Sequence, residues 1–150
     1  MEWIKGDFRI STDKNLLNVR AIHSYLSKES YWAMNISEQR VQKSCENSLC
    51  FGVYNGTEQI GFARAITDYA TFSYLADVYI LPAYQGKGLG KWLMECIMAH
   101  PDLQELRRWI LATKDAHGLY EQNGFKPLAF PNRHMEYKNT KVFDTKWLID

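Results

Sequence analysis

The sequence predicts one α/β domain, and three observations predict it. A chain of 150 residues at 46% hydrophobic has the usual size of one compact domain, long enough to bury a core and too short for two of full size. Strand-like and helix-like segments follow one another along it in mixed order. From Leu49 to Leu81 the pattern is that of antiparallel sheet, with a tight-turn signal at Asn55-Gly56.

The elements follow in order. Phe8 to Ser11 suits a short first strand, and Asp13 offers an N-cap to a helix whose Leu16, Val19, Ile22 and Leu26 form one stripe at helical spacing. After an irregular aromatic stretch, Ser30 to Ile36, Ser37 caps a second, more polar helix ending near Glu46. Leu49 to Tyr54 and Gln59 to Thr67 make a hairpin around Asn55-Gly56, whose residues tolerate positive φ. A second turn, Asp68 to Ala70, leads to a third strand, Phe72 to Leu81, stopped by Pro82, which cannot continue a ladder. Leu89, Trp92, Leu93, Cys96 and Ile97 then repeat as the apolar face of a helix. Arg108 to Ala112 suits a buried strand, and Ala116 to Asn123 a short helix ending at an αL Gly124. Asn132 to Lys138 adds a last strand, and Lys141 to Asp150 a tail whose Trp147, Leu148 and Ile149 dock on the domain or on a second subunit.

Composition narrows the function. Lys and Arg number 18 against 17 Asp and Glu, for a net charge of +1, and no basic block is present to neutralise a row of phosphates. Nucleic acid is therefore not expected as a partner. The segment Met1 to Asp7 carries Glu2, Lys5 and Asp7 in place of an apolar core, and no later run approaches the roughly 20 apolar residues of a membrane span. A soluble, cytoplasmic protein is expected. Cys45, Cys50 and Cys96 have neither CxxC spacing nor clustered His ligands, so reduced core residues are expected, and neither disulfide nor metal site.

The most informative segment is Gln85-Gly86-Lys87-Gly88-Leu89-Gly90-Lys91, which follows a strand and opens a helix. Glycines there let backbone N–H groups converge on a ligand, and the helix start adds unpaired donors and the positive end of its dipole, an arrangement that binds phosphate. Lys87 and Lys91 stand where they add charge at the rim. A Walker A loop is excluded because Trp92, with no hydroxyl for magnesium, follows Lys91. A dinucleotide fingerprint is excluded because position 91 is not glycine.

Gln85 to Gly90 does match the pattern Gln/Arg-x-x-Gly-x-Gly/Ala, behind the strand end Val78-Tyr79-Ile80-Leu81-Pro82. In this the chain resembles the GCN5-related N-acetyltransferase (GNAT) family. Ala116-His117-Gly118-Leu119-Tyr120-Glu121-Gln122-Asn123-Gly124-Phe125 is likewise similar to that family's A-x-x-L-Y-x-x-x-G-F segment. The resemblance covers about Leu75 to Leu128; the N-terminal half resembles the family in its order of elements more than in residues. It implies a single GNAT-like domain over 1–150, with a coenzyme-binding core at about 72–128 and a central mixed, mainly antiparallel sheet carrying helices on both faces.

The resemblance also implies a reaction: direct transfer of an acetyl group from acetyl-CoA, as co-substrate, to a primary amine of a small molecule. The coenzyme pyrophosphate is expected on the amides of Gln85, Gly86, Lys87, Gly88, Leu89, Gly90 and Lys91, and the pantetheine arm along the backbone of Val78, Tyr79 and Ile80. Many relatives carry an asparagine where this chain has Thr113, so that coenzyme contact falls to Thr113 or Lys114 or is left out, while Asp115 caps the short helix.

Expulsion of a thiolate from a thioester calls for an acid, and Tyr120 is the candidate, against the plainer reading of a tyrosine packed on the sheet. Asp77 is the candidate base, sharing a strand face with Tyr79 opposite Ala76, Val78 and Ile80; its other reading is an acid paired with Arg64 or facing solvent. A covalent route through Cys96 is disfavoured by its place on the apolar stripe. Tyr31, Trp32, Arg64, Tyr74, His117 and the turn from Asp68 to Phe72 are candidates for the acceptor pocket. Monomer and homodimer both stay open, as do two other functions: acetylation of a protein or peptide amine, and non-catalytic acyl-CoA binding.

Overall fold

The computed structural model describes residues 1–139 and 141–142. Its centre is a six-stranded sheet in sequence order. The strands are β1 (Glu2–Lys5), β2 (Phe8–Ser11), β3 (Leu49–Asn55), β4 (Glu58–Thr67), β5 (Phe72–Ile80) and β6 (Arg108–Ile110). Neighbours run antiparallel except the last pair, which is parallel. The expected mixed, mainly antiparallel sheet is present. The N-terminal strand β1, unmarked in the sequence, pairs with β2 through a tight turn.

Helices cover both faces, each with its own core. On one face α3 (Leu89–Ala99) buries Leu93, Met94 and Ile97 against Phe51, Val53, Ile60 and Leu75, joined by Tyr120 from the short α4 (His117–Glu121). On the other, α1 (Val19–Lys28) and α2 (Glu38–Glu46) bury Ile22, Leu26, Val41 and Cys45 against Cys50, Phe62 and Tyr79. Phe51 and Phe62 have no exposed surface, so truncating either to Ala costs about 3–5 kcal/mol.

Local chemistry explains most boundaries. The Ser37 hydroxyl accepts from Arg40 N at 3.2 Å and starts α2 where expected. The first helix begins later than its apolar stripe suggests. Asp13 caps only a 3₁₀ turn, Lys14–Leu16, Leu17 is extended, and Leu16 stays 38% exposed. Asn18 restarts the chain as α1, its side chain accepting from Ala21 N and its own N–H donating to Gln59 Oε1 at 2.8 Å. That tertiary bond fixes the start, and the sequence period cannot show it.

Strand β5 departs from simple alternation. Phe62 pairs with Tyr79 but Arg64 with Ala76, so Ala63 alone faces both Asp77 and Val78. Asp77 is the bulged residue, at φ 55. The extra residue changes the parity. Ala76 shares the face of Arg64 and of Tyr79, contrary to the expectation that Ala76 lies opposite, while Leu75, Val78 and Ile80 join the α3 core.

The C-terminal strand expected over Asn132 to Lys138 is absent from the described residues. A 3₁₀ turn, Pro131–Arg133, is followed by chain with no ladder partner, and Met135 and Tyr137, which share one parity, are 100% and 95% exposed. The tail with Trp147, Leu148 and Ile149 lies outside the described residues. All three cysteines are free and buried, as expected. No helix among the described residues is long and apolar enough to cross a membrane.

Candidate active site

The cleft forms where the sheet splits. Strand β6 pairs with β5 only at Phe72, Ser73 and Tyr74, and β5 then runs on to Ile80 with no strand on that side among the described residues. The resulting cavity of about 800 Å³ has β5 from Tyr74 to Ile80 as one wall and the segment Ala112 to Tyr120 as the other. The glycine loop closes one end, and the aromatic stretch after α1 the other.

The loop is held from below and open above. Tyr84 N donates to Leu81 O at 2.9 Å, Gln85 N to Pro82 O at 3.3 Å, and Gln85 Nε2 to Ile80 O at 2.9 Å. Gln85 thus anchors the loop to the strand end with its amide already engaged, which removes it from the expected run of free donors. From Gly86 to Lys91 no backbone N–H has a protein acceptor among the described residues, and Trp92 N is the next to find one, on Gly88 O. Gly86 and Gly88 stand at φ 80 and 77 with nothing within 4 Å of a Cβ position, so the conformation needs glycine and the space before it is clear. Gly88 caps α3 without a side-chain bond, leaving the helix's first donors unsatisfied. The set suits an anion. Lys87 and Lys91 are exposed and do not line the cavity, so their side chains add charge at the rim only.

Tyr120 projects from α4 into the cleft and is 8% exposed. Burial first, then the nearby Tyr31 and Asp115, push its phenol up to about 12, so it stays protonated at neutral pH. No group among the described residues hydrogen-bonds its hydroxyl. The helix ends as expected, with Gly124 at φ 88 and Phe125 N returning to Tyr120 O. Thr113 lines the cleft, and its hydroxyl accepts from Ala116 N at 3.0 Å; the cap position of α4 is Ala116, with no side-chain cap bond, so Asp115 does not cap the helix as expected.

At the aromatic end, Trp32 Nε1 donates to Asp77 Oδ1 at 2.9 Å and Arg64 Nε to Asp77 Oδ2 at 2.8 Å. Arg64 Nη1 continues to Ser48 Oγ at 3.0 Å. The Arg64 and Asp77 side chains are 15% and 10% exposed, so the ion pair expected as Asp77's alternative role is formed, within the cleft. Tyr25 stacks on Tyr79 at 3.8 Å, which turns the Tyr79 side chain toward the α1 and α2 core and leaves its backbone beside the cleft. Lys114 N donates to Tyr31 Oη at 2.8 Å, joining the two loops across the opening.

Of the acceptor candidates, Tyr31, Trp32, Arg64 and Tyr74 line the cavity, whereas His117 and the turn from Asp68 to Phe72 do not. That turn is organised for its own sake: Asp68 accepts from the backbone of Ala70, Thr71 and Phe72 and from the Thr71 hydroxyl, which holds its carboxyl well below the usual range. Tyr25 and Glu29 line the cavity without having been singled out, as does Asp115, expected only as a helix cap. Cys96 does not line it, and burial pushes its thiol up to about 11. No group of three metal-ligating side chains occurs among the described residues.

Comparison with known proteins bears on the family and the fold. Residues 46–127 match the family model described as "Acetyltransferase (GNAT) domain". A Gibberella zeae protein named "Putative acetyltransferase" is 38% identical, over 81% of this chain and 80% of its own. A crystal structure from Xanthomonas campestris, of "a putative acetyltransferase belonging to the gnat family", superposes with a TM-score of 0.88 at 48% identity, over 92% of this chain and 97% of that one. A Clostridium acetobutylicum structure, described as "predicted acetyltransferase with acetyl-CoA", shares the fold at a TM-score of 0.65 and 12% identity, over 93% of this chain and 97% of that one.

Proposed function

Because the chain belongs to the GNAT acetyltransferase family, an acyltransferase family, we propose that it moves an acetyl group from acetyl-CoA directly to a primary amine of a small molecule. One observation carries the coenzyme half of this reading. The amides from Gly86 to Lys91 have no protein acceptor among the described residues, and they stand at the mouth of a cleft whose walls are a strand edge and Tyr120. A diphosphate satisfies those donors, and an extended arm laid along Val78 to Ile80 reaches the phenol.

The chemistry then assigns roles. A backbone N–H of β5 polarises the thioester carbonyl. The amine nitrogen forms a bond to that carbonyl carbon and the carbon–sulfur bond breaks. The departing thiolate takes the Tyr120 proton, and the attacking amine gives up its own to Asp77, directly or through a water. Trp32 and Arg64 fix both oxygens of Asp77, so the carboxylate meets each acceptor in one orientation.

The Tyr31–Lys114 bond supports a small acceptor over a peptide, since it bridges the opening that an extended chain would have to enter. The test is free-thiol release from acetyl-CoA with a panel of small primary amines and of peptides, alongside coenzyme A binding. Small amines are expected to turn over, and Tyr120→Phe to lower kcat by about 10²–10⁴ with coenzyme affinity kept. Faster turnover of peptides would overturn the acceptor class. A Tyr120→Phe protein with unchanged kcat would remove the acid, and a protein that binds coenzyme A without turnover would leave only the binding module.

A further inference from the structure

The acceptor end of the cleft, taken as the amine site proposed above, has a charge imbalance that narrows its substrate. Glu29, Asp77 and Asp115 line the cavity against a single guanidinium, Arg64. Arg64 is spent on Asp77 at 2.8 Å, whereas Glu29 and Asp115 form no ion pair among the described residues. Neither lysine beside them in sequence forms an ion pair with them. Lys28 does not line the cavity, and Lys114 Nζ lies 5.8 Å over the Tyr31 ring.

The two free acids face a common space. Both are exposed residues that line the one cavity, and the Tyr25 phenol beside them is raised, chiefly by burial and then by their charge. That space is walled by the aromatic side chains of Tyr25, Tyr31, Trp32 and Tyr74, whose faces attract cations. Tyr120, 8% exposed and with no hydrogen-bond partner for its hydroxyl among the described residues, marks the reacting end.

We propose that the acceptor is an organic dication, a terminal diamine with one primary amine acetylated beside Tyr120 and Asp77. The second amine stays an ammonium, held between Glu29 and Asp115 against the aromatic wall. The reacting ammonium first releases one proton to water, the free amine forms the bond to the carbonyl carbon and passes its second proton to Asp77, the carbon–sulfur bond breaks, and the thiol leaves with the Tyr120 proton, which the phenolate regains from water. The product is a monoacetylated monocation and free coenzyme A. An acceptor carrying a carboxylate or phosphate meets two unneutralised acids there, and no unspent cation among the described lining residues.

The inference depends on the amine-transfer reading, and the experiment separates the two. Protein saturated with coenzyme A is titrated calorimetrically with diaminopentane, pentylamine and aminopentanoate, which differ only in the charge of the far end. Diaminopentane is expected to bind about tenfold tighter than pentylamine and aminopentanoate weakest, as for two exposed charge contacts. The preference should shrink as salt is added. In the Glu29→Gln/Asp115→Asn variant the diamine-to-monoamine ratio is expected to collapse toward one, coenzyme A binding serving as the check on folding. Equal affinities in the native protein, a ratio that survives the double substitution, or tightest binding of aminopentanoate would each overturn the proposal. Thiol release from acetyl-CoA with pentylamine is read in parallel: its absence defeats the transferase reading, while the binding ratios still decide the charge claim.

Discussion

Replacing Gly88 by alanine isolates what the loop does. Gly88 stands at φ 77 and nothing lies within 4 Å of where a Cβ would go, so the fold registers the change only as backbone strain. An L-residue in that region costs about 1–2 kcal/mol, and in a protein of this size each kcal/mol lowers Tm by about 2–4 °C, giving an expected fall of about 2–8 °C. Gly124 supplies the matched control. It too has positive φ, 88, and open space around its Cβ position, but it does not line the cleft. Gly124→Ala should show a similar loss of Tm. The two should part on coenzyme A. If a diphosphate sits on the amides from Gly86 to Lys91, a methyl group at position 88 projects toward it and spoils at least one hydrogen bond to a charged oxygen, worth about 1.5–3 kcal/mol or a 10- to 100-fold rise in Kd. Calorimetric titration of both variants at one temperature, with melting curves run alongside, measures strain and binding separately. Equal coenzyme affinity in Gly88→Ala and Gly124→Ala would refute the loop's assignment, whatever their melting temperatures.

Other outcomes follow from burial and pairing. Burial pushes the phenols of Tyr54 and Tyr120 up to about 12, above the ordinary value of about 10, so between those pH values the unfolded chain has lost protons that the folded chain keeps. Stability is therefore fully present below about pH 10 and lost as pH rises toward about 12; denaturant midpoints should fall across that window, and Tyr120→Phe should flatten the fall, while a level profile would contradict the burial argument. Arg64→Met leaves the 10%-exposed Asp77 carboxylate with only Trp32, and since removing one partner of a fully buried pair costs about 3–5 kcal/mol, about 2–3 kcal/mol is expected here. Urea unfolding should show Arg64→Met/Asp77→Asn recovering part of that loss, since asparagine tolerates the positive φ at position 77; a double variant no better than the single would mean the ion pair is not the source. Cys96→Ala should keep kcat and cost about 1 kcal/mol of stability, and the native protein incubated with acetyl-CoA should gain no acetyl mass at that thiol, whose titration burial has moved up to about 11.

Features carried by a few adjacent residues were legible in the sequence. The Ser37 cap, the Asn55-Gly56 turn, the strand–loop–helix order around Gly88 and the αL end at Gly124 each depend on local backbone chemistry, and each stands where the sequence puts it. What escaped depends on distant partners. Strand β1 has only Trp3 partly buried among four residues, so its strand character comes from pairing with β2 and leaves no alternating pattern to read. The face assigned to Ala76 fails because the bulge at Asp77 arises from registry with β4. Trp32 and Asp77 lie 45 positions apart, and nothing in either neighbourhood announces that an indole N–H will meet that carboxylate. The glycine-loop end of the cleft, built from contiguous segments, was thus easier to foresee than the aromatic end, which three remote segments assemble.

The parting of β5 from β6 has a mechanical consequence. Among the described residues, the chain after α3 meets the sheet's ladder only at Phe72–Arg108, Ser73–Trp109 and Tyr74–Ile110, a short zipper at the narrow end of a wedge. Whatever lies along Leu75 to Ile80 fills the place of the missing rungs, so a loaded molecule is braced on both sides of the gap and an empty one is hinged at its apex. Amide protons of β6 are then a natural gauge of occupancy, exchanging with solvent quickly in the empty protein and slowly once the wedge is filled.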